Sequence, residues 1–192
     1  MAVAGRHGVT ADTPKNVLFG AGTYHKGMSF DTSSGTLTAG TIIGATNGGG
    51  SIEIKGEITS LEIDGAYVKF KGQEVMTGGT ATIEATFTEL TPDIAATAMI
   101  GKTTSGTNYK MVEPKATIEE GDYVEGFGFV GYTADGSKKV IAILEYALCT
   151  SGFKVEGKNK GQGTVTLTME AYAENSGNLD TIPAKIFFVD EI

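Results

Sequence analysis

The sequence predicts a mainly β fold, a β-sandwich or barrel-like arrangement of two packed sheets with one short flanking α-helix at about residues 92–100. Three observations predict it. Glycine is abundant and proline scarce, 28 against 4, with no tryptophan, which favours many strands joined by turns over a helical bundle. Threonine and aliphatic residues alternate in repeated short runs, the period of two of half-buried strands. One stretch, Gly79 to Gly101, runs a clear strand straight into a clear helix.

In that stretch Ala81, Ile83, Ala85 and Phe87 point one way, and Thr82, Glu84, Thr86 and Thr88 the other. After Leu90, Thr91 is placed to cap the free amides, Pro92 suits the first helical position, and Asp93 meets the positive end of the dipole. Gly101 is expected to end the helix, whose Ile94, Ala95, Ala98 and Met99 share one side. Gly163-Thr164-Val165-Thr166-Leu167 repeats the pattern of Gly79-Thr80-Ala81-Thr82-Ile83, so two strands with a threonine face and an aliphatic face could lie in one sheet.

A chain of 192 residues with 40% hydrophobic residues is long enough for one sizeable core, and no composition break suggests a second, so a single domain over 1–192 is expected. Within it, residues 1–27 read as a Gly-rich N-terminal arm, 28–50 as a long loop with β-prone pieces at Thr36 to Thr38 and Thr41 to Ile43, and 51–192 as the β core. Ile58 to Ile63, Asp64-Gly65 and Tyr67 to Phe70 read as a hairpin. Further strands are expected at Tyr109 to Val112, Val124 to Tyr132, Lys138 to Cys149, Phe153 to Glu156, Thr164 to Ala171 and Ala184 to Val189, with Asp135-Gly136 turning the second pair. Along 138–149, Val140, Ala142, Leu144, Tyr146 and Leu148 are expected on one face, and the terminal Asp-Glu-Ile is expected to be exposed.

Net charge is −8, the wrong sign for holding phosphates. A lone Cys149 excludes a disulfide framework and a thiolate metal cluster. The first residues lack the apolar core of a signal peptide, and the longest apolar run, Val140 to Cys149, is interrupted by Glu145, so synthesis in a cytoplasm and no membrane span are expected.

Catalytic signals are weak. Gly126-Phe127-Gly128-Phe129-Val130-Gly131 has dinucleotide-loop spacing, but a turn and a strand follow where a helix is required. His7 and His25 lack a second ligand at metal spacing. Glu119, Glu120, Asp122 and Glu125 lack the ordered spacing of a calcium loop, and the pair Glu62 and Asp64 reads as solvent-facing. Cys149 reads as a small buried hydrophobe. No catalytic, metal or cofactor residue is expected, and no enzyme.

The order of parts is similar to that of the major tail tube proteins of long-tailed bacteriophages. The resemblance covers most of residues 50–190, and the pieces that carry it are VKFKGQEVMTGGTATIEATFTELTPDIAATAMIG and the strand GQGTVTLTMEAYAE. It implies a structural virion protein whose hexameric rings stack into a tail tube, a conduit for DNA ejection; the type VI secretion tube proteins are similar in fold. It implies assembly in the bacterial host cytoplasm into the virion tail, with tape measure and other tail proteins as partners. Double-stranded DNA would pass through without specific binding, and an acidic wall would let it slide. On this reading Thr82, Glu84, Thr86, Thr164, Thr166, Thr168 and Glu170 line the lumen, and Leu37, Ile42 and Ile43 anchor the 31–50 loop on a neighbouring subunit or ring, with the arm and loop ordering on assembly. The rivals are the tube of a phage-derived contractile bacteriocin or injection system, another virion part such as a head decoration or tail terminator protein, an unrecognised hydrolase, and a non-catalytic β-sandwich binding module. A carbohydrate-binding module would be expected to show an aromatic platform, and the 7 tyrosines are scattered.

Overall fold

A computed structural model describes residues 8–190. His7 and the end of the C-terminal Asp-Glu-Ile lie outside them. The described chain is mainly β, organised around one large antiparallel sheet. After a single helical turn, α1 (Thr13–Asn16), the strands are β1 (Leu18–Lys26), β2 (Ser29–Asp31), β3 (Thr36–Thr38), β4 (Thr41–Ile42), β5 (Thr46–Ser60) and β6 (Glu74–Phe87). Helix α2 (Pro92–Met99) follows, then β7 (Gly101–Ser105), β8 (Lys110–Pro114), β9 (Val124–Thr133), β10 (Lys138–Cys149), β11 (Val155–Glu156), β12 (Thr164–Tyr172) and β13 (Ala184–Asp190).

The large sheet runs β4-β1-β9-β10-β12-β6-β5, with β13 on β10 and β11 on β12. Strand β10 joins its two halves. One edge of β10 pairs with β9 along most of its length, while the other pairs with β13 from Lys138 to Leu144 and with β12 from Tyr146 to Cys149. The halves fold over a common core that takes Tyr24 from β1, Phe127 and Phe129 from β9, Ile83 and Phe87 from β6, and Leu167 and Met169 from β12. The mainly β, sandwich-like architecture is as expected, and its two packed layers are the halves of one folded sheet. The inward face of β10 changes parity at Glu145: Ala142 and Leu144 are inside, then Ala147 and Cys149. There the Glu145 amide donates to the Pro183 carbonyl at 3.0 Å, and Gly126, on the facing strand, has φ +57°. The expected common face of β10 therefore holds as far as Leu144 and is lost at Tyr146 and Leu148.

A second apolar cluster lies on the far side of β9 and β10. Met28, Val130, Ile141 and Ile143 are covered there by Phe30 and Leu37 of the β2–β3 hairpin and by Phe187 and Val189 of β13. Phe30 stacks on Phe187 with centroids 4.2 Å apart.

Three local expectations need correction. Residues 18–26 of the expected arm form a nine-residue strand paired with β9, because Tyr24 fits the core between Phe87 and Phe129. Gly20 and Gly22, at φ +89° and +64°, break its register and hid its period in the sequence. The expected 28–50 loop holds β2, β3, β4 and the start of β5, the β-prone pieces falling on Thr36–Thr38 and Thr41–Ile42. Tyr67 to Phe70 does not pair with the strand before it; β5 pairs with β6, from Thr46–Phe87 out to Ser60–Glu74, and 61–73 is the connection.

Helix α2 starts as read. Thr91 Oγ1 accepts from the Ile94 amide at 3.2 Å, and Ile94 and Ala98 close one end of the core. It ends on Ile100 at φ +51°, a left-handed residue, with Gly101 already in β7. Thr91→Ala is expected to cost about 1 kcal/mol of stability through loss of that cap, read in a denaturant titration.

Candidate functional site

Strands β5, β6 and β12 lie side by side in the order β12-β6-β5. Their inward side chains, Ala81, Ile83, Ala85 and Phe87 with Val165, Leu167 and Met169, are buried in the core. Alternation then forces the other set outward. Thr86 faces Thr166, Glu84 faces Thr168 and Thr82 faces Glu170, while Ser51 and Glu53 of β5 stand beside Glu84 and Thr82. The Thr86 and Thr166 hydroxyls are 3.0 Å apart, and Thr168 Oγ1 donates to Glu84 Oε2 at 3.4 Å. All seven residues expected to share a face, Thr164 included, therefore lie on one outward surface of hydroxyls and carboxylates.

The loop anchors are divided. Leu37 packs on the second cluster and Ile43 on the main core, so within this chain both are engaged; Ile42 is exposed. The exposed apolar side chains concentrate elsewhere, on the outer part of the β5–β6 hairpin and its connection. Ile58 and Met76, opposite each other across the hairpin, are 65% and 69% exposed, and Val68 is 78% exposed, with Leu61, Ile63, Tyr67 and Phe70 nearby in the chain. The signal was present in the sequence as six large apolar residues in 58–70, but the expected local hairpin would have paired them with each other.

Strand β5 itself is an edge. Among the described residues it pairs with β6 alone, leaving the other side of a 15-residue strand without a ladder. Gly50 lies against the Tyr24 ring, where any side chain would clash with the phenol oxygen and with the Glu84 carbonyl.

The remaining candidates are structural. A Cβ on Gly128 would sit 2.6 Å from the Met28 sulfur, and one on Gly126 would sit 2.2 Å from the Met28 carbonyl. Those glycines let β9 pass close to Met28, and β9 continues into a hairpin, so no phosphate loop forms. Cys149 is buried, 3.3 Å from the Ser151 hydroxyl. His25 Nε2 lies 2.9 Å from Thr23 Oγ1, and burial lowers its pKa. Glu119 and Asp122 bracket a 3₁₀ turn, each accepting from the other's end, and both hold the Lys115 ammonium, at 2.8 and 2.7 Å. Among the described residues no three His, Cys, Asp or Glu side chains converge as metal ligands, and no helix is long and apolar enough to cross a membrane.

The Lys115 hydrogen bond, with help from the Glu119 amide, holds the Asp122 carboxyl below its ordinary pKa. A carboxylate so depressed stabilises the fold above its unfolded pKa of 3.8, and the contribution fades as pH falls through the folded value. Asp122→Asn is expected to lower stability at pH 7 and to shallow the loss of stability below about pH 4, read as melting temperature against pH.

Comparisons with family models and with curated proteins return no match.

Proposed function

We propose that the chain is a structural subunit that polymerises into a tube, as the major tail protein of a long-tailed phage, with the outward face of β5, β6 and β12 lining the lumen. The observation that carries this reading is the open 15-residue edge of β5, which continues into a hairpin rich in exposed apolar side chains. A long free edge is an aggregation hazard in a monomer and is neutralised when each copy pairs with the next around a closed ring. Beside that edge stands the hydroxyl and carboxylate face. Its threonines are uncharged, and Glu53, Glu84 and Glu170 outweigh Lys55, which stands opposite Thr80 on the same face, so phosphates are repelled and DNA would slide past. An injection-system tube would use the same subunit geometry. A carbohydrate-binding module finds less support, since the exposed aromatics form no platform on this face.

The test is to concentrate the purified chain and examine it by sedimentation and negative-stain electron microscopy. Striated hollow tubes or rings support the reading, and a monomer at every concentration, with or without added tail-tip proteins, overturns it. Within tubes, Glu84→Lys with Glu170→Lys is expected to leave assembly intact and to slow DNA ejection; unchanged infectivity of virions carrying both would remove these carboxylates from the lumen.

A further inference from the structure

A cavity of about 380 Å³ opens at the end of β12 where Tyr172 leaves the sheet. Tyr123, Tyr146 and Tyr172 line it, Tyr123 and Tyr172 packing edge to face with centroids 5.3 Å apart. Glu119, Glu120 and Glu174 stand around them. Glu119 is engaged by Lys115, whereas Glu120 and Glu174 form no ion pair among the described residues. The field of these acids is felt inside: Glu174 above all, then burial, and then Glu125, Glu145 and Glu120 raise the pKa of the Tyr146 phenol. Three tyrosine rings and two carboxylates without an ion pair around one opening form a receptor for a cationic group, which gains ion pairing and cation–π contact together.

The opposite end of the same strand carries the complement. Strand β11 turns into β12 through 157–163, which holds Lys158 and Lys160, both exposed. Lys154 is paired with Glu156 at 2.8 Å, but Lys158 and Lys160 form no ion pair among the described residues. Thr164 and Tyr172 are eight strand steps apart, so the two ends are separated by about 27 Å and cannot meet within one chain.

We propose that the tyrosine–carboxylate cavity receives the Lys158–Lys160 turn of a second copy of this chain, joining subunits head to tail. The contact is heterologous, because the two patches are different and lie at opposite ends; repeated, it closes a ring or propagates a filament. It rests on the polymer reading above and names the partner surface. Lys158 and Lys160 are complementary in charge to Glu120 and Glu174, and an ammonium on a four-carbon stem can reach over a ring face while keeping one side hydrated.

The test is zero-length carbodiimide crosslinking of full-length protein, mixed one to one as natural-abundance and nitrogen-15 chains, followed by mass spectrometry. Isotopically mixed linkages from Lys158 or Lys160 to Glu120 or Glu174 are expected. Tubes without such linkages overturn this contact and leave the tube reading standing. Linkages without tubes establish the head-to-tail contact and count against the tube, and the absence of both overturns both. A charge exchange adds a second arm. Glu120→Lys with Glu174→Lys, and separately Lys158→Glu with Lys160→Glu, are expected each to raise the concentration needed for association by about tenfold or more, since like charges then meet. An equimolar mixture of the two variants restores opposite charges at every junction and should associate within about twofold of the native concentration, with sensitivity to salt. Unimpaired association of either variant alone, or no recovery on mixing, contradicts the proposal.

Discussion

Phe87→Ala is expected to destabilise the protein by about 3–5 kcal/mol, the range for emptying a buried aromatic site. Phe87 is 0% exposed and sits at the junction of four strands. It ends β6, faces Val165 of β12 and Thr46 of β5, and its ring meets Tyr24 of β1 edge to face at 5.9 Å. Tyr24 in turn leans on Phe129 at 5.3 Å, so this aromatic row bridges the two halves of the folded sheet. Removing the ring leaves a void that the rigid strands around it can fill only in part. For a chain of this length each kcal/mol is worth about 2–4 °C, so the melting temperature should fall by about 6–20 °C. A calorimetric shift of only a degree or two would mean that the halves are not held together there.

The triple change Ile58→Ser, Val68→Ser and Met76→Ser is expected to leave the subunit folded and to abolish tube formation. Their exposure limits what they contribute to the isolated fold; the Ile58–Met76 cross-strand pair accounts for about 1 kcal/mol at most. Each side chain is worth about 1.5–3 kcal/mol when fully buried against a neighbour, and the loss recurs at every subunit of a polymer. The expected result is a native-like circular dichroism spectrum and melt together with a sample that stays at monomer mass in sedimentation. Normal tubes from this variant would show that the hairpin is not a subunit contact. Removing 36–49 would be a poor alternative, because it deletes β3, β4 and the beginning of β5 and takes Leu37 and Ile43 out of the apolar clusters.

The strands legible in the sequence are those with one wet and one dry face. β6 and β12 each put threonines and an acid against a row of aliphatics, and the structure pairs them as neighbours, Thr86 against Thr166. The start of α2 was legible because Thr91, Pro92 and Asp93 act within one turn of chain. β1 was not, since Gly20 and Gly22 interrupt its period and its single core residue, Tyr24, gains meaning only from Phe87 and Phe129, more than sixty residues away. The parity change at Glu145 was hidden for a related reason: Val140 to Cys149 is apolar at both parities apart from Glu145, so only its two partners, β13 before and β12 after, reveal the bend. Apolar character at Leu37 and Ile43 marked burial correctly but could not distinguish burial in the chain's own clusters from burial in a partner.

The outward threonine face was readable as a face, while its use depends on an assembly. Helical reconstruction of the assembled protein by cryo-electron microscopy tests that use most directly. The expected result is a hollow tube with β5, β6 and β12 forming its inner wall and Thr86, Thr166, Glu84 and Glu170 pointing at the channel axis. A tube carrying that face on its outer surface, or buried between subunits, would contradict it.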